Sequence, residues 1–169
     1  MQNGKKVKDI MIGVFDYPHI PYWFSISQVM RIAKISFINS KKYPEPMVIL
    51  IFDEKYNLMG TLTLKDILKG LEPGFLKQTK QAIFSEEKEL EWDTLFKQKS
   101  KELVEKIVRD IMIPAQYFVE PNESITKAAY IMIQHDLILL PVLENKKKLI
   151  GLVRMIEVFD AISDEILKE

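Results

Sequence analysis

The chain has 169 residues, and its 24 Lys and Arg balance 24 Asp and Glu, for a formal net charge of zero. That balance argues against a nucleic-acid binder working through a general basic surface. The absence of cysteine removes disulfides, thiolate catalysis and cysteine-held zinc or iron–sulfur centres.

Hydrophobic residues make up 47% and charged residues 28%, ordinary for a soluble globular chain. The start, Met1-Gln-Asn-Gly-Lys-Lys, lacks the apolar core of a signal peptide. The longest nearly uncharged stretch, 14–30, is broken by Pro18 and Pro21 and is no membrane span. A cytoplasmic protein is expected.

Val7-Lys-Asp-Ile-Met11 opens the ordered part, and an aromatic loop from Phe15 to Phe24 follows, with His19 between prolines. Ser25 and Gln28 have capping-box spacing before a helix predicted over 26–38, with Val29, Ile32 and Ala33 on one face. The apolar run 47–52 predicts a buried strand. A polar turn at 53–57 leads to a second strand ending near Thr63, and a helix is predicted over 64–69. Glu72-Pro-Gly74 is a stop. The segment 85–108 reads as a helix with Trp92, Leu95, Phe96, Leu103 and Ile107 on one stripe. It is expected to pack as a connector on two lobes, with partner binding as the lesser reading.

The grammar then repeats. Val108-Arg-Asp-Ile-Met112 matches the opening motif, and Ser124 caps a helix predicted over 125–136. The apolar run 137–143, the turn 144–148, a strand to Arg154 and a helix from Met155 to Ser163 or beyond complete the copy. Three blocks recur in the same order, so the chain is an internal duplication. Its expected units are 1–71, a helical connector at 72–105, and 106–169.

Catalytic chemistry finds little purchase. With no Cys, a nucleophile would need a Ser or Thr beside a base, and only His19 and His135 are available. Neither has a companion at metal-ligand spacing, and no glycine-rich phosphate cradle is present. Gly60-Thr-Leu-Thr63-Leu-Lys-Asp66 is more suggestive. Its hydroxyl and carboxylate lie one helical turn apart and could hold a ribose diol. The same spacing also serves as a plain helix cap.

These motifs together resemble a tandem pair of CBS domains, a Bateman module. The resemblance rests on the two Asp-Ile-Met segments, on Leu139-Leu-Pro-Val142, and on Gly60-x-x-Thr63-x-x-Asp66 and Gly151-x-x-Arg154-x-x-Glu157. It covers nearly the whole chain outside the connector. It implies an α/β (α+β) fold of two β-α-β-β-α repeats with the Asp-Ile-Met motifs at leading strands. The repeats would pack sheet to sheet about a pseudo-twofold axis. Two clefts for adenosine-containing ligands, and association of modules as a homodimer, are also implied.

By the same resemblance the ribose pair is Thr63 and Asp66. Nucleobase contacts would come from Ile12, from Ile113 with Pro114, and from main chain near Leu140. The second cleft departs from the pattern, with Arg154 in the hydroxyl position and Glu157 in place of Asp. Basic residues often precede the Pro-Val pair in phosphate-binding members, whereas here Ile138 and Leu139 stand there, with Met47 and Val48 in the first copy. An uncharged or singly charged adenosyl ligand, or none, fits this pattern better than a triphosphate. The expectation is a non-catalytic regulatory sensor acting on an unidentified partner protein, with no metal and no required cofactor. Its rival is a ligand-free dimerisation scaffold.

Overall fold

The computed structural model describes residues 4–39, 46–71, 97 and 100–168. The first repeat contains β1 (His19–Pro21), α1 (Ile26–Ala33), β2 (Val48–Phe52), β3 (Leu58–Thr63) and α2 (Leu64–Gly70). The second contains β4 (Ile113–Pro114), α3 (Ile125–His135), β5 (Leu139–Glu144), β6 (Lys148–Arg154) and α4 (Met155–Ile166). The helix starts follow from the caps. Ser25 Oγ accepts from the Gln28 amide at 3.2 Å, and Gln28 Oε1 accepts from the Ser25 amide at 2.8 Å. Asp136 ends α3 in the left-handed conformation, φ 52°.

β2 shows why the apolar runs are continuous. Ile49 and Ile51 point into a core with Ile20, Ile26, Val29 and Leu62, while Val48, Leu50 and Phe52 point the other way. That second face meets Leu139 and Leu152 of the second repeat in one cluster that also holds Tyr17. Alternate residues therefore fill two different cores, and neither face can be polar. The repeats pack hairpin against hairpin, as expected. Leu140, Val142 and Val153 face a third core, under α3 and α4.

The sheets are not confined to one repeat. β4 belongs to the second repeat by sequence, yet it closes a four-stranded sheet of order β1-β2-β3-β4. Gly60 stands opposite Pro114, and Thr61 opposite Ile113. The pattern is reciprocal, since Ile12 bridges to Leu152 of β6. Its amide donates to the Leu152 carbonyl at 2.8 Å and the Leu152 amide returns the bond at 2.9 Å. Each leading segment thus pairs with the hairpin of the other repeat.

Four expectations need correction. The Asp-Ile-Met segments are not strands but 3-10 turns, Val7–Asp9 and Val108–Asp110. In the first, Asp9 Oδ2 accepts the Lys6 amide at 2.7 Å and closes the turn, so pairing begins only at Ile12 and Ile113. The aromatic loop contains a strand, because Ile20 must fill the first core and β1 therefore lies parallel to β2. The first helix widens after Ala33 into a π-helix over Lys34–Asn39, keeping Phe37 buried. The connector is helical at 100–103 and has left the helix by 104, short of Val108. Extended backbone at Ile107 lets Val108 donate to the Phe24 carbonyl at 2.7 Å. Trp92, Leu95 and Phe96 lie outside the described residues.

Candidate functional site

Thr63 is the last residue of β3 and the N-cap of α2. Its backbone is extended, so its amide and hydroxyl both face the first turn of the helix. The Asp66 amide donates to Thr63 Oγ1 at 3.2 Å. Asp66 Oδ2 accepts from the Thr63 amide at 2.9 Å and from its hydroxyl at 2.7 Å. Asp66 is 7% exposed and is a polar side chain buried at the edge of the first core. The bonds converge on one carboxylate oxygen, and Oδ1 takes none among the described residues. The result is an acceptor with a fixed direction. The spacing is realised as a helix cap, and the cap holds the carboxylate in place.

Arg154 and Glu157 occupy the corresponding places at the end of β6 and the start of α4. They differ in kind. Arg154 Nε donates to Glu157 Oε2 at 2.8 Å, and its Nη2 reaches Oε1, so the guanidinium spans both carboxylate oxygens. The side chains are mostly buried. The Glu157 carboxylate beside it holds the Arg154 guanidinium above its usual range, against the opposing effect of burial. Tyr17 closes the position from the first repeat. It is 1% exposed and lies beside the guanidinium. Burial pushes its phenol above the usual range, and the nearby Arg154 partly offsets this. Such a site offers no free carboxylate oxygen pair to a sugar.

The remaining candidates separate. Ile113 and Pro114 lie on the edge of the sheet that carries Thr63, and both are exposed. Ile12 lies instead against β6, the strand of Arg154. Leu140 is wholly buried in the ladder opposite Val153. The exchange of leading segments therefore gives Ile113 and Pro114 to the Thr63 side, and Ile12 to the Arg154 side.

Gly60 and Gly151 have a purely structural explanation. A Cβ on Gly60 would stand 2.5 Å from the Ile113 carbonyl oxygen, and one on Gly151 would stand 2.8 Å from that of Ile12. The close approach that glycine permits is to the exchanged segment. Tyr17 was missed in the sequence, where only its place in a proline-flanked aromatic loop could have marked it. His19 stands with Nδ1 3.4 Å from the Tyr17 carbonyl oxygen, and His135 stacks on Tyr117 with centroids 3.6 Å apart. Among the described residues no group of three or more His, Asp or Glu could hold a metal, and no helix is long and apolar enough to cross a membrane.

The family model for the CBS domain matches residues 108–164. No curated protein matches the chain. Among solved structures, CBSX2 in complex with AMP superposes with TM-score 0.62 at 21% identity, over 96% of this chain and 99% of that one. A CBS domain-containing protein of unknown function from Bacillus anthracis gives TM-score 0.66 at 16% identity, over 95% and 94%. The cytosolic domain of the Mg2+ channel MgtE, in complex with ATP, gives 0.61 at 19% identity, over 92% of this chain and 48% of that one. Residues 108–164 thus form a CBS domain, and the chain as a whole has the CBS-pair fold.

Proposed function

We propose that the protein is a non-catalytic regulatory module that takes an adenosine-containing ligand, of the AMP, ATP, S-adenosylmethionine or NAD class, in the cleft beside Thr63 and Asp66. The observation that carries this reading is the Asp66 carboxylate, fixed through Oδ2 by two bonds from Thr63 with Oδ1 left without a bond among the described residues. A diol presents two donors to such an acceptor. Ile113 and Pro114 on the neighbouring strand would flank the base, with main chain near Leu140 a further contact. Similar folds were solved with AMP and with ATP. Ligand binding would shift one repeat against the other and change a contact with a partner protein, in a cytoplasmic homodimer. The units 1–71, 72–105 and 106–169 remain its divisions in sequence, with leading segments exchanged.

The test is thermal melting with AMP, ATP, S-adenosylmethionine and NADH. A ligand at 100 times its dissociation constant stabilises by about 2.7 kcal/mol, a readable rise in Tm. Asp66→Ala should abolish the rise while the protein still unfolds cooperatively. A flat response to all four compounds would favour the second reading, a ligand-free dimerisation scaffold. That reading draws on the depth of Asp66 and on the closed Arg154–Glu157 pair.

A further inference from the structure

The Thr63 and Arg154 positions lie at one end of the two hairpins, and a separate cavity of about 490 Å³ lies at their turns. That volume is within the range of small-molecule pockets, roughly 300–1,000 Å³. None of the eight candidate residues above lines it. Both repeats contribute matching pieces, the segment after each leading motif and the turn of each hairpin.

Its wall is aromatic. The His19 ring meets Phe15, Phe52 and Tyr56 edge-on, with centroids 5.9, 5.9 and 6.0 Å away. Phe15 is 80% exposed and Tyr56 62%, so two large rings stand in water beside a concave surface. Their exposure adds nothing to the core.

The backbone under Tyr56 adds an independent observation. Its φ of 64° lies in the left-handed region, which a bulky residue rarely occupies. Asp53 maintains it, accepting from the Lys55 amide at 2.9 Å, the Asn57 amide at 2.8 Å and Asn57 Nδ2 at 2.9 Å. Strain of this kind persists where surrounding structure enforces it, and it clusters at functional sites. Here its consequence is to set the Tyr56 ring against Phe52, 5.0 Å between centroids.

Charge supplies the last element. Lys147 and Lys148 of the other hairpin line the same cavity, and neither forms an ion pair among the described residues. Of the nearby carboxylates, Asp53 is engaged in its turn, Asp16 accepts the Gly13 amide at 3.0 Å, and Glu144 stands opposite Lys148 in the hairpin without an ion pair to either lysine among the described residues. We propose that this cavity is a second ligand site, taking a flat aromatic monoanion with its ring against Phe15 and Tyr56 and its charge at Lys147 and Lys148.

The experiment is calorimetric titration of the full chain with quinaldate and with its uncharged amide, quinaldamide. Quinaldate should bind once per chain, about tenfold tighter than the amide. Tyr56→Gly removes the ring and relaxes the backbone, so it should fold while losing about tenfold in quinaldate affinity. Replacing both lysines, Lys147→Gln with Lys148→Gln, should reduce quinaldate to the level of the amide. Asp66→Ala should leave quinaldate binding unchanged, which keeps this result separate from the adenosyl reading. No binding, wild-type affinity in the Tyr56 or lysine variants, or loss of binding in Asp66→Ala would each overturn the proposal.

Discussion

Val7 and Val108 occupy each other's repeat: Val7 is fully buried in the core under α3 and α4, and Val108 in the core under α1 and α2. The Val7 amide donates to the Glu123 carbonyl at 2.9 Å, and the Val108 amide to that of Phe24 at 2.7 Å. Neither repeat has a complete core without the other's leading segment. Unfolding of one half should therefore unfold both, in a single cooperative transition by calorimetry and by circular dichroism. Two separated transitions would show that the halves are autonomous.

The crossing of these segments predicts the cost of a methyl group. Gly60→Ala and Gly151→Ala each force backbone carbonyls apart, at about 1–3 kcal/mol in urea unfolding. Gly13→Ala is the control. Its Cβ would meet only the Asp16 carboxylate, at 3.3 Å, and its φ of −70° suits any residue. Equal stability of all three variants would mean that the strand approach is slack.

Much of this fold is legible in the sequence, for a physical reason. Duplication doubles each weak signal, and Ser25, Thr63 and Ser124 cap helices where side-chain chemistry alone says they should. The exchange of leading segments is not legible. Val7 and Val108 carry identical local signals, and nothing local tells either which core to enter. The pairing of Arg154 with Glu157 was within reach, since i,i+3 neighbours on a helix start face one another. The placement of Tyr17 against them depends on a loop path no periodicity records.

On the proposed reading, that pair leaves the second position without a free carboxylate for a sugar, so titration with an adenosyl ligand should give one site per chain. The double variant Arg154→Thr with Glu157→Asp would copy the Thr63–Asp66 geometry into the second position. It should raise the count to two. The singles are informative too: removing either partner strands a mostly buried charge, and a double-mutant cycle should give a coupling of about 1–3 kcal/mol. Two equivalent sites in the wild type would refute the distinction.

Acid should destabilise the protein through two carboxylates held below their usual range. Hydrogen bonds from the Asn57 side chain lower Asp53. Burial opposes ionisation of Glu123, but the Lys127 ammonium and the Glu120 amide outweigh it. A group depressed in the folded state binds more protons when unfolded, so its contribution is present above the unfolded value. It is lost as pH falls below about 4 and through the folded value. Asp53→Asn should flatten the decline of stability between neutral and acid pH. An unchanged slope would place the acid sensitivity elsewhere.

The helices that close each repeat leave large apolar residues in water: Leu68 on α2 and Ile156, Phe159 and Ile166 on α4, all more than half exposed. Single exposed side chains would need no explanation, but Ile156, Phe159 and Ile166 recur at helical spacing along α4, and exposed apolar patches mark interfaces. A twofold dimer would cover the same patch on both chains, the commonest closure for soluble homo-oligomers. Light scattering at micromolar concentration should give twice the chain mass of 19.8 kDa. Phe159→Glu separates interface from core, because a side chain already exposed in the single chain can carry charge there without cost to folding. It should halve the mass by placing an unpaired charge in the contact, while the melting curve stays cooperative. A wild-type mass equal to one chain would end the dimer assignment, and a Phe159→Glu protein that stays dimeric would move the interface off α4.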